Sequence, residues 1–361
     1  MNNIVLILIF IFCTTSSTIA AQSNNIENSS MTKIKKDLII DLVSPLIARE
    51  KYIKEYQKGG FTVVGVTLAV SDGYDKTMKT ISEWDERFKA RGNELLLIRK
   101  VDDIHIAYEQ DKLGIVFHFQ NSNPLDDNID LVDEYYARGV RVMQLTYNAK
   151  NSFGSGCEVK IDTGLTELGH LLVQRMNKVG MLIDVSHAGH KTALDIITAS
   201  KKPVILSHTN AYALCPSDRN APDDLLKAIA KSNGVIGLNA FSPLITKNAP
   251  QASLDQLLDN LDYIVKLVGI DHVSLGLDYY TGQWPYVTDE EAIRNYNLNI
   301  KKGVWNAKTY PKPPHKYASG IETPDKIKNL KPALLKRGYS EEDVEKILGK
   351  NLIRVFAEVW R

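Results

Sequence analysis

The stretch GMLIDVSHAGH…KKPVILSHTNA, from Gly180 to Ala211, constrains the fold more than any other part of this chain. It holds two apolar runs, Met181–Val185 and Val204–Leu206, and each is followed by the same dipeptide, Ser186-His187 and Ser207-His208. The residues between them, from about Gly189 to Ser200, carry a helical pattern. A strand–helix–strand crossover makes its two strands parallel and neighbouring. Two imidazoles then stand at the C-terminal ends of adjacent parallel strands, the edge on which α/β barrels and open α/β sheets build their chemistry. Two neutral imidazoles aimed at one point are a natural pair of metal ligands. The plainer alternative is a pair of histidines that merely close their loops.

The same alternation runs through the rest of the chain. Eight short β-like runs are expected at Leu38–Leu42, Phe61–Val70, Gly114–Gln120, Arg141–Tyr147, Met181–His187, Pro203–His208, Gly234–Ala240 and His272–Asp278. Most are continuously apolar, as strands buried on both faces are. Helical patterns fall between them, for example Asp75–Ala90 and Ser253–Val268, the latter with a Ser253/Gln256 capping box and a Gly269 stop. Eight strands alternating with helices is the count that closes a (β/α)8 TIM barrel, with a doubly wound open sheet as the alternative. The segment 279–323 shows no clear strand and is rich in Tyr, Trp and Pro, so a lid over the barrel mouth is expected there. A helix pair or kinked helix is expected over Ser340–Trp360, broken near Leu348-Gly349.

A chain of 361 residues, 44% hydrophobic and 24% charged, suits one large α/β domain, here expected over residues 36–361. The net charge of +1 gives no electrostatic reason to expect nucleic acid or an anionic membrane as a partner. Residues Ile4–Phe12 are apolar, and Thr18-Ile19-Ala20-Ala21 offers a small-residue cleavage site. The run is too short to span a bilayer stably, so a signal peptide is expected over residues 1–21, followed by a polar leader over 22–35. The mature chain is then periplasmic or secreted, without a transmembrane span. In such a compartment Cys157 and Cys215 could pair.

Six features collect at the expected strand C-termini: Gln120, Tyr147, His187, His208, the Arg219-Asn220 loop and Asp278. A carboxylate at Asp278 can hold a metal or move a proton, although a helix N-cap is the ordinary use of such a residue. A guanidinium at Arg219 suits a substrate carboxylate, against the plainer role of a surface ion pair. His118 shares a strand face with Gln120 and should lie one layer deeper, as a hydrogen-bonded core histidine.

Longer segments carry a resemblance. GVRVMQLTYN (139–148), GLTELG (164–169), MNKVGMLIDVSH (176–187), PVILSHTNAYALCPSDRN (203–220) and RGYSEEDVEKILGKNLIRV (337–355) together resemble the membrane (renal-type) dipeptidase family, zinc peptidases with a metallo-dependent-hydrolase-like (β/α)8 barrel. The resemblance implies that His187 and His208 ligate one zinc. It implies that Asp278 handles protons at the metal and that Arg219, with Asn220 and Tyr147 nearby, binds the substrate.

The departures from that family fall on the metal ligands. The family's first strand ends in Asp-Gly-His-Asn-Asp, whose His and last Asp hold the other zinc; here Asp41-Leu42-Val43-Ser44-Pro45 stands in that place. The bridging glutamate falls at Gln120, a neutral amide and a poor bridge between two dications. The substrate-positioning histidine falls at Tyr147. The expectation is at most one zinc per chain, or none, on His187 and His208 with Gln120 or Asp278 assisting. The expected function is an exported metallodipeptidase-like hydrolase of a dipeptide or related small amide, as a monomer or homodimer. The alternative is a non-hydrolytic periplasmic binding or accessory protein that keeps the pocket.

Overall fold

The structure, a computed structural model, describes residues 36–361. The expected signal peptide and leader lie outside the described residues. Nine strands are formed: β1 (Ile40–Asp41), β2 (Val63–Ala69), β3 (Leu95–Leu97), β4 (Leu113–Phe119), β5 (Val140–Gln144), β6 (Leu182–Asp184), β7 (Val204–Thr209), β8 (Ile236–Leu238) and β9 (Val273–Leu275). Every pairing is parallel, and β2 pairs with both β1 and β4. The ring β1–β2–β4–β5–β6–β7–β8–β9 therefore closes on itself, β9 returning to β1 through Asp41 and Leu275. Eight strands is the number whose interior is just filled by side chains.

All eight expected strands are present, within a few residues of their expected ends. The ninth, β3, was not legible. It pairs only with the first half of β4, Leu113–Ile115, while β5 takes the second half, Phe117–Phe119, on the same side. It is thus a short shim filling the splay between β4 and β5.

Alternation along the strands sorts side chains into two apolar clusters. One takes Ile40, Val63, Val116, Val142, Leu182, Ile205 and Val235, one from each of seven barrel strands or their leading residues, together with Leu352, Val355 and Phe356 of the C-terminal helix (Asn351–Val359). These residues form the barrel's interior floor, with the C-terminal helix as its plug. The larger cluster joins the outward faces to the surrounding helices, among them Tyr74–Ala90, Glu167–Val179 and Leu254–Val268. Ser253 and Gln256 form the expected capping box, and Gly269 ends that helix. Above the apolar floor the interior turns polar: His118, Gln144, Asp184 and Ser207 are all buried.

The segment after β9, where the sequence shows no clear strand, forms no strand among the described residues. It contains a helix, Asp289–Lys301, opened by a capping box of Thr288 and Glu291. The C-terminal helix is kinked as expected, through a wide π turn at Lys346–Lys350 that contains Leu348-Gly349. Cys157 and Cys215 are both free thiols; Cys157 Sγ lies 3.4 Å from Asn148 Oδ1 and Cys215 Sγ lies 3.6 Å from the Pro243 carbonyl. Among the described residues no helix is long and apolar enough to cross a membrane.

Candidate active site

The strand ends of β6 and β7 place His187 and His208 face to face, with 2.9 Å between their Nε2 atoms. β7 reaches this position by a local irregularity. Its register against β8 shifts between Leu206 and Thr209, and the Ser207 carbonyl is pushed inward. Gly237 and Gly276 make the room: a Cβ at either would stand within 1.9 Å or 1.7 Å of that oxygen. The bulge re-aims His208, a common use of such a feature at a barrel rim.

Beneath the pair, Asp184 is the anchor. Its Oδ1 accepts from the Ser186 N–H at 3.0 Å, the Ser186 hydroxyl at 2.6 Å and the Ser207 N–H at 3.0 Å. Its Oδ2 accepts from Gln144 Nε2 and the Ser207 hydroxyl. Burial would raise its pKa, but these donors with the nearby His118 and His208 hold it below the ordinary carboxylate range. His118 is buried, as expected, but it is not the hydrogen-bonded core histidine of the sequence reading: its Nε2 lies 3.2 Å from Asp184 Oδ2 off the line of a good hydrogen bond, and its Nδ1 also has no partner.

This network fixes both histidine tautomers. Asp184 is ionised and can only accept, so the Ser207 hydroxyl spends its proton there. Ser207 Oγ must then accept from His208 Nδ1, 2.7 Å away. Likewise the amide of Asn148 gives Nδ2 to the Val304 carbonyl at 3.1 Å, which leaves its Oδ1 to accept from His187 Nδ1 at 2.7 Å. Both rings carry the proton on Nδ1, and both Nε2 atoms present lone pairs to one point. This is the arrangement in which metal-binding histidines are held by the groups behind them. Burial, Arg219 and the other imidazoles push both histidines well below their usual pKa, which keeps the lone pairs free of protons.

His187 lines a cavity of about 250 Å³, whose wall also includes Pro45, Gln120, Tyr147, Asp278 and Trp305, while His208 is buried against His187. Tyr147 stacks on His187, with ring centroids 4.0 Å apart. The segment after β9 contributes Tyr280, Gln283, Trp305, Tyr310 and Tyr317 to the cavity wall. Trp305 and Tyr310 stack at 4.9 Å. Asp278 sits two residues beyond Gly276 in a left-handed conformation, φ 60°, unusual for a residue with a side chain. Its N–H donates to the Val43 carbonyl at 2.9 Å and its carbonyl accepts from the Tyr317 hydroxyl at 2.8 Å, so both neighbours clamp the turn. Its Oδ2 accepts from Asn239 Nδ2 at 3.3 Å. Burial raises its pKa to about 7, against the opposing pull of Arg219 and Asn239.

Arg219 is not on the cavity wall. It is 3% exposed and lies at the Nε2 edge of His187. Its Nη1 donates to the Ser186 carbonyl, and its Nη2 stands 3.2 Å from His187 Nε2 and 3.4 Å from the His208 carbonyl. Asn220 is likewise turned inward: its Nδ2 donates to the Cys215 and Leu244 carbonyls, each at 2.8 Å, and its Oδ1 accepts from the Asn210 N–H at 3.2 Å. Gln120 is tethered through Nε2 to Thr67 Oγ1 at 2.8 Å.

A zinc site can be tested against these donors. Two bonds of ~2.0–2.1 Å would span a 2.9 Å nitrogen separation at about a right angle, so the two lone pairs can share one ion once the rings part by a few tenths of an ångström toward the tetrahedral angle. Where the resemblance places the ligands of the other zinc stand Val43, Pro45 and Gln120, and neither an apolar side chain nor a neutral amide suits a second dication. Among the described residues no group of three or more His, Cys, Asp or Glu side chains forms a metal-holding cluster.

Sequence reasoning did not single out Asp184 or Asp41 for a role, and it left Asn148 as either a site-lining residue or a loop amide. Asp41 Oδ1 accepts from the Leu277 N–H at 2.9 Å, tying the end of β1 to the turn that presents Asp278, while its Oδ2 is buried without a partner. Burial raises its pKa to about 8, despite the Leu277 and Val43 N–H groups and with a further push from Asp278. The one sequence signal for Asp184 was its place two residues before the first Ser-His, on the same strand face as Ser186.

The sequence pattern of the family described as Membrane dipeptidase (Peptidase family M19) matches residues 15–302 and 314–361 of this chain. The chain belongs to the membrane dipeptidase family. Within that family, dipeptidase tcpJ of Claviceps purpurea (strain 20.1) is 29% identical over 265 residues, 73% of this chain and 55% of that protein. An uncharacterised dipeptidase of Schizosaccharomyces pombe is 32% identical over 193 residues, 52% of this chain and 46% of that one. The matched region thus spans about half the length of these curated relatives. Among solved structures, an amidohydrolase from Pseudomonas aeruginosa superposes with a TM-score of 0.78 at 30% identity, covering 90% of this chain and 97% of that one. A metallopeptidase from Rhodobacter sphaeroides, solved with a phosphinate mimic of L-Ala-D-Ala, shares the fold with a TM-score of 0.73 at 19% identity, covering 90% and 100% of the two chains.

Proposed function

We propose that this member of the membrane dipeptidase family is an exported hydrolase of a dipeptide or related small amide, using one divalent ion held by His187 and His208. The observation that carries the reading is the convergence of two lone pairs beside a cavity into which a carboxylate of raised pKa also faces. A divalent ion there would act as a Lewis acid and make bound water more acidic at neutral pH. The chain's own residues do the rest. Asp278, with a pKa of about 7, takes a proton from the attacking water and returns it to the leaving amine. The aromatic wall lowers the polarity around the cavity, and Asn148 and the Asp184–Ser207 pair hold the two imidazoles in register. Export is supported by the apolar run Ile4–Phe12 and its small-residue cleavage site. Zinc is the ion best suited to neutral imidazoles with open positions beside them.

A second reading is favoured by one observation: the replaced ligands Val43, Pro45 and Gln120 remove the other half of the centre. A protein that binds small ligands without hydrolysing them would tolerate that loss. The deciding experiment is metal analysis of the purified mature protein together with dipeptide hydrolysis, with and without added zinc. Zinc-dependent turnover at about one ion per chain supports the hydrolase; ligand binding without turnover at any zinc concentration supports the second reading.

A further inference from the structure

The pair of lone pairs at His187 and His208 already has a cationic neighbour. Arg219 Nη2 stands 3.2 Å from His187 Nε2. His187 is protonated on Nδ1, so its Nε2 can only accept, and the guanidinium is the donor. Arg219 is buried, and among the described residues no carboxylate lies within ion-pair distance of it. Its partners are the Ser186 and His208 carbonyls and this imidazole, with Nε left unpartnered. A buried guanidinium held by neutral acceptors alone is expensive to keep, and the imidazole lone pair is one of the few acceptors that offset the cost.

The same lone pair cannot serve a guanidinium N–H and a metal ion together. A dication at the pair would also lie within a few ångströms of a permanent positive charge, in a site with little water to screen it. We propose that Arg219 and a divalent cation compete for His187 Nε2, so that Arg219 sets the metal affinity of the histidine pair and has to withdraw before metal binds. The inference rests on the metal site of the proposed function but not on hydrolysis. It treats Arg219 as a positioning and gating residue: an internal cation that satisfies the pair when metal is absent.

The test is titration of the full chain, stripped with chelator, with Zn²⁺ by calorimetry and with Co²⁺ by visible absorption. Arg219→Met keeps most of the packed stem and removes the charge. It is expected to bind both ions at least tenfold more tightly than the unaltered chain, and adding His208→Ala is expected to abolish that gain. Arg219→Lys, which keeps the charge but cannot reach all three acceptors, is expected to fall between them and serves if the Met variant does not fold. In Arg219→Ala, added ethylguanidinium is expected to lower zinc affinity back toward the unaltered value. Equal or weaker metal binding in the Met or Lys variant overturns the proposal, as does a gain that survives His208→Ala. Tight metal binding by Arg219→Met without dipeptide turnover leaves the competition standing while the hydrolase reading falls; absence of binding in every variant overturns both.

Discussion

The Nε2 atoms of His187 and His208 face each other across 2.9 Å, each with its lone pair exposed because the protons are held on the far side of both rings. Two such lone pairs repel unless something positive lies between or beside them. His208→Ala should therefore lose metal and turnover together. Asp278→Asn should keep metal while losing its proton handling, at a cost on the order of 10²–10⁴ in rate. Zinc content and kcat measured on the same preparations separate the two routes, and turnover that persists in metal-free His208→Ala would end the metal-water reading.

The raised pKa of Asp278 predicts two pH dependences of opposite sense. Activity that needs its carboxylate should rise as pH passes through about 7. Stability should fall as pH rises from about 4 to about 7. Between its ordinary value of 3.8 and about 7 the folded chain binds a proton that the unfolded chain has released, so folding is favoured at low pH and the advantage is gone above about 7. The ceiling for that rise is about 4 kcal/mol. Because the carboxylate borders the cavity, water reduces the expected figure to about 2 kcal/mol. Urea melts of Asp278→Asn should show it more stable than the unaltered chain at pH 8 by about that amount, with no gain at pH 4.

Asp41 should add to the same slope, since burial lifts it to about 8. Asp41→Asn preserves the acceptor for the Leu277 N–H and should stabilise the fold above pH 8. Asp41→Ala orphans that N–H and should destabilise by about 1–3 kcal/mol at every pH. Equal melts for the two variants at pH 9 would show that the Leu277 hydrogen bond contributes nothing.

Gly276→Ala places a methyl 1.7 Å from the Ser207 carbonyl oxygen, a backbone atom with no rotamer to change. The cost should be about 3 kcal/mol or more, with β7 displaced at His208. Urea denaturation gives the first, and weakened zinc binding in whatever folds gives the second.

Restoring the other half-site should require several changes at once. Val43→His, Pro45→Asp and Gln120→Glu together supply an imidazole and two carboxylates, and elemental analysis should then find a second zinc. Gln120→Glu alone should not bring one, because Val43 and Pro45 still offer no donor to a second ion.

The barrel was legible because strands buried on both faces are written as apolar runs, and the repeated Ser-His placed two of them side by side. β3 escaped because three leucines paired along one edge, Leu95–Leu97, look like any apolar tripeptide. The helix Asp289–Lys301 escaped because it buries only Ala292 and Tyr296, although its Thr288/Glu291 box was there to be read. The histidines were legible as strand ends. The direction taken by Arg219 was not, since it depends on a loop that folds back onto Asn210 and Thr209. Asp184 was hidden for a different reason: a carboxylate inside an apolar run is visible, but the five donors that keep it charged come from three strands.

Asn148 has a consequence for how the cavity opens. Its donor end is pinned by Val304 and Tyr310 of the covering segment and its acceptor end by His187. If the cover lifts, the donor end of the amide is freed and only the contacts of its Oδ1 with His187 Nδ1 and Cys157 Sγ still oppose rotation. The rotated amide offers N–H to His187 Nδ1, the ring proton moves to Nε2, and the lone pair there is gone. Rotation of that single amide would thus exchange a chelating His187 for a non-chelating one. Its visible sign would be an exchange of the two ring ¹⁵N shifts of His187.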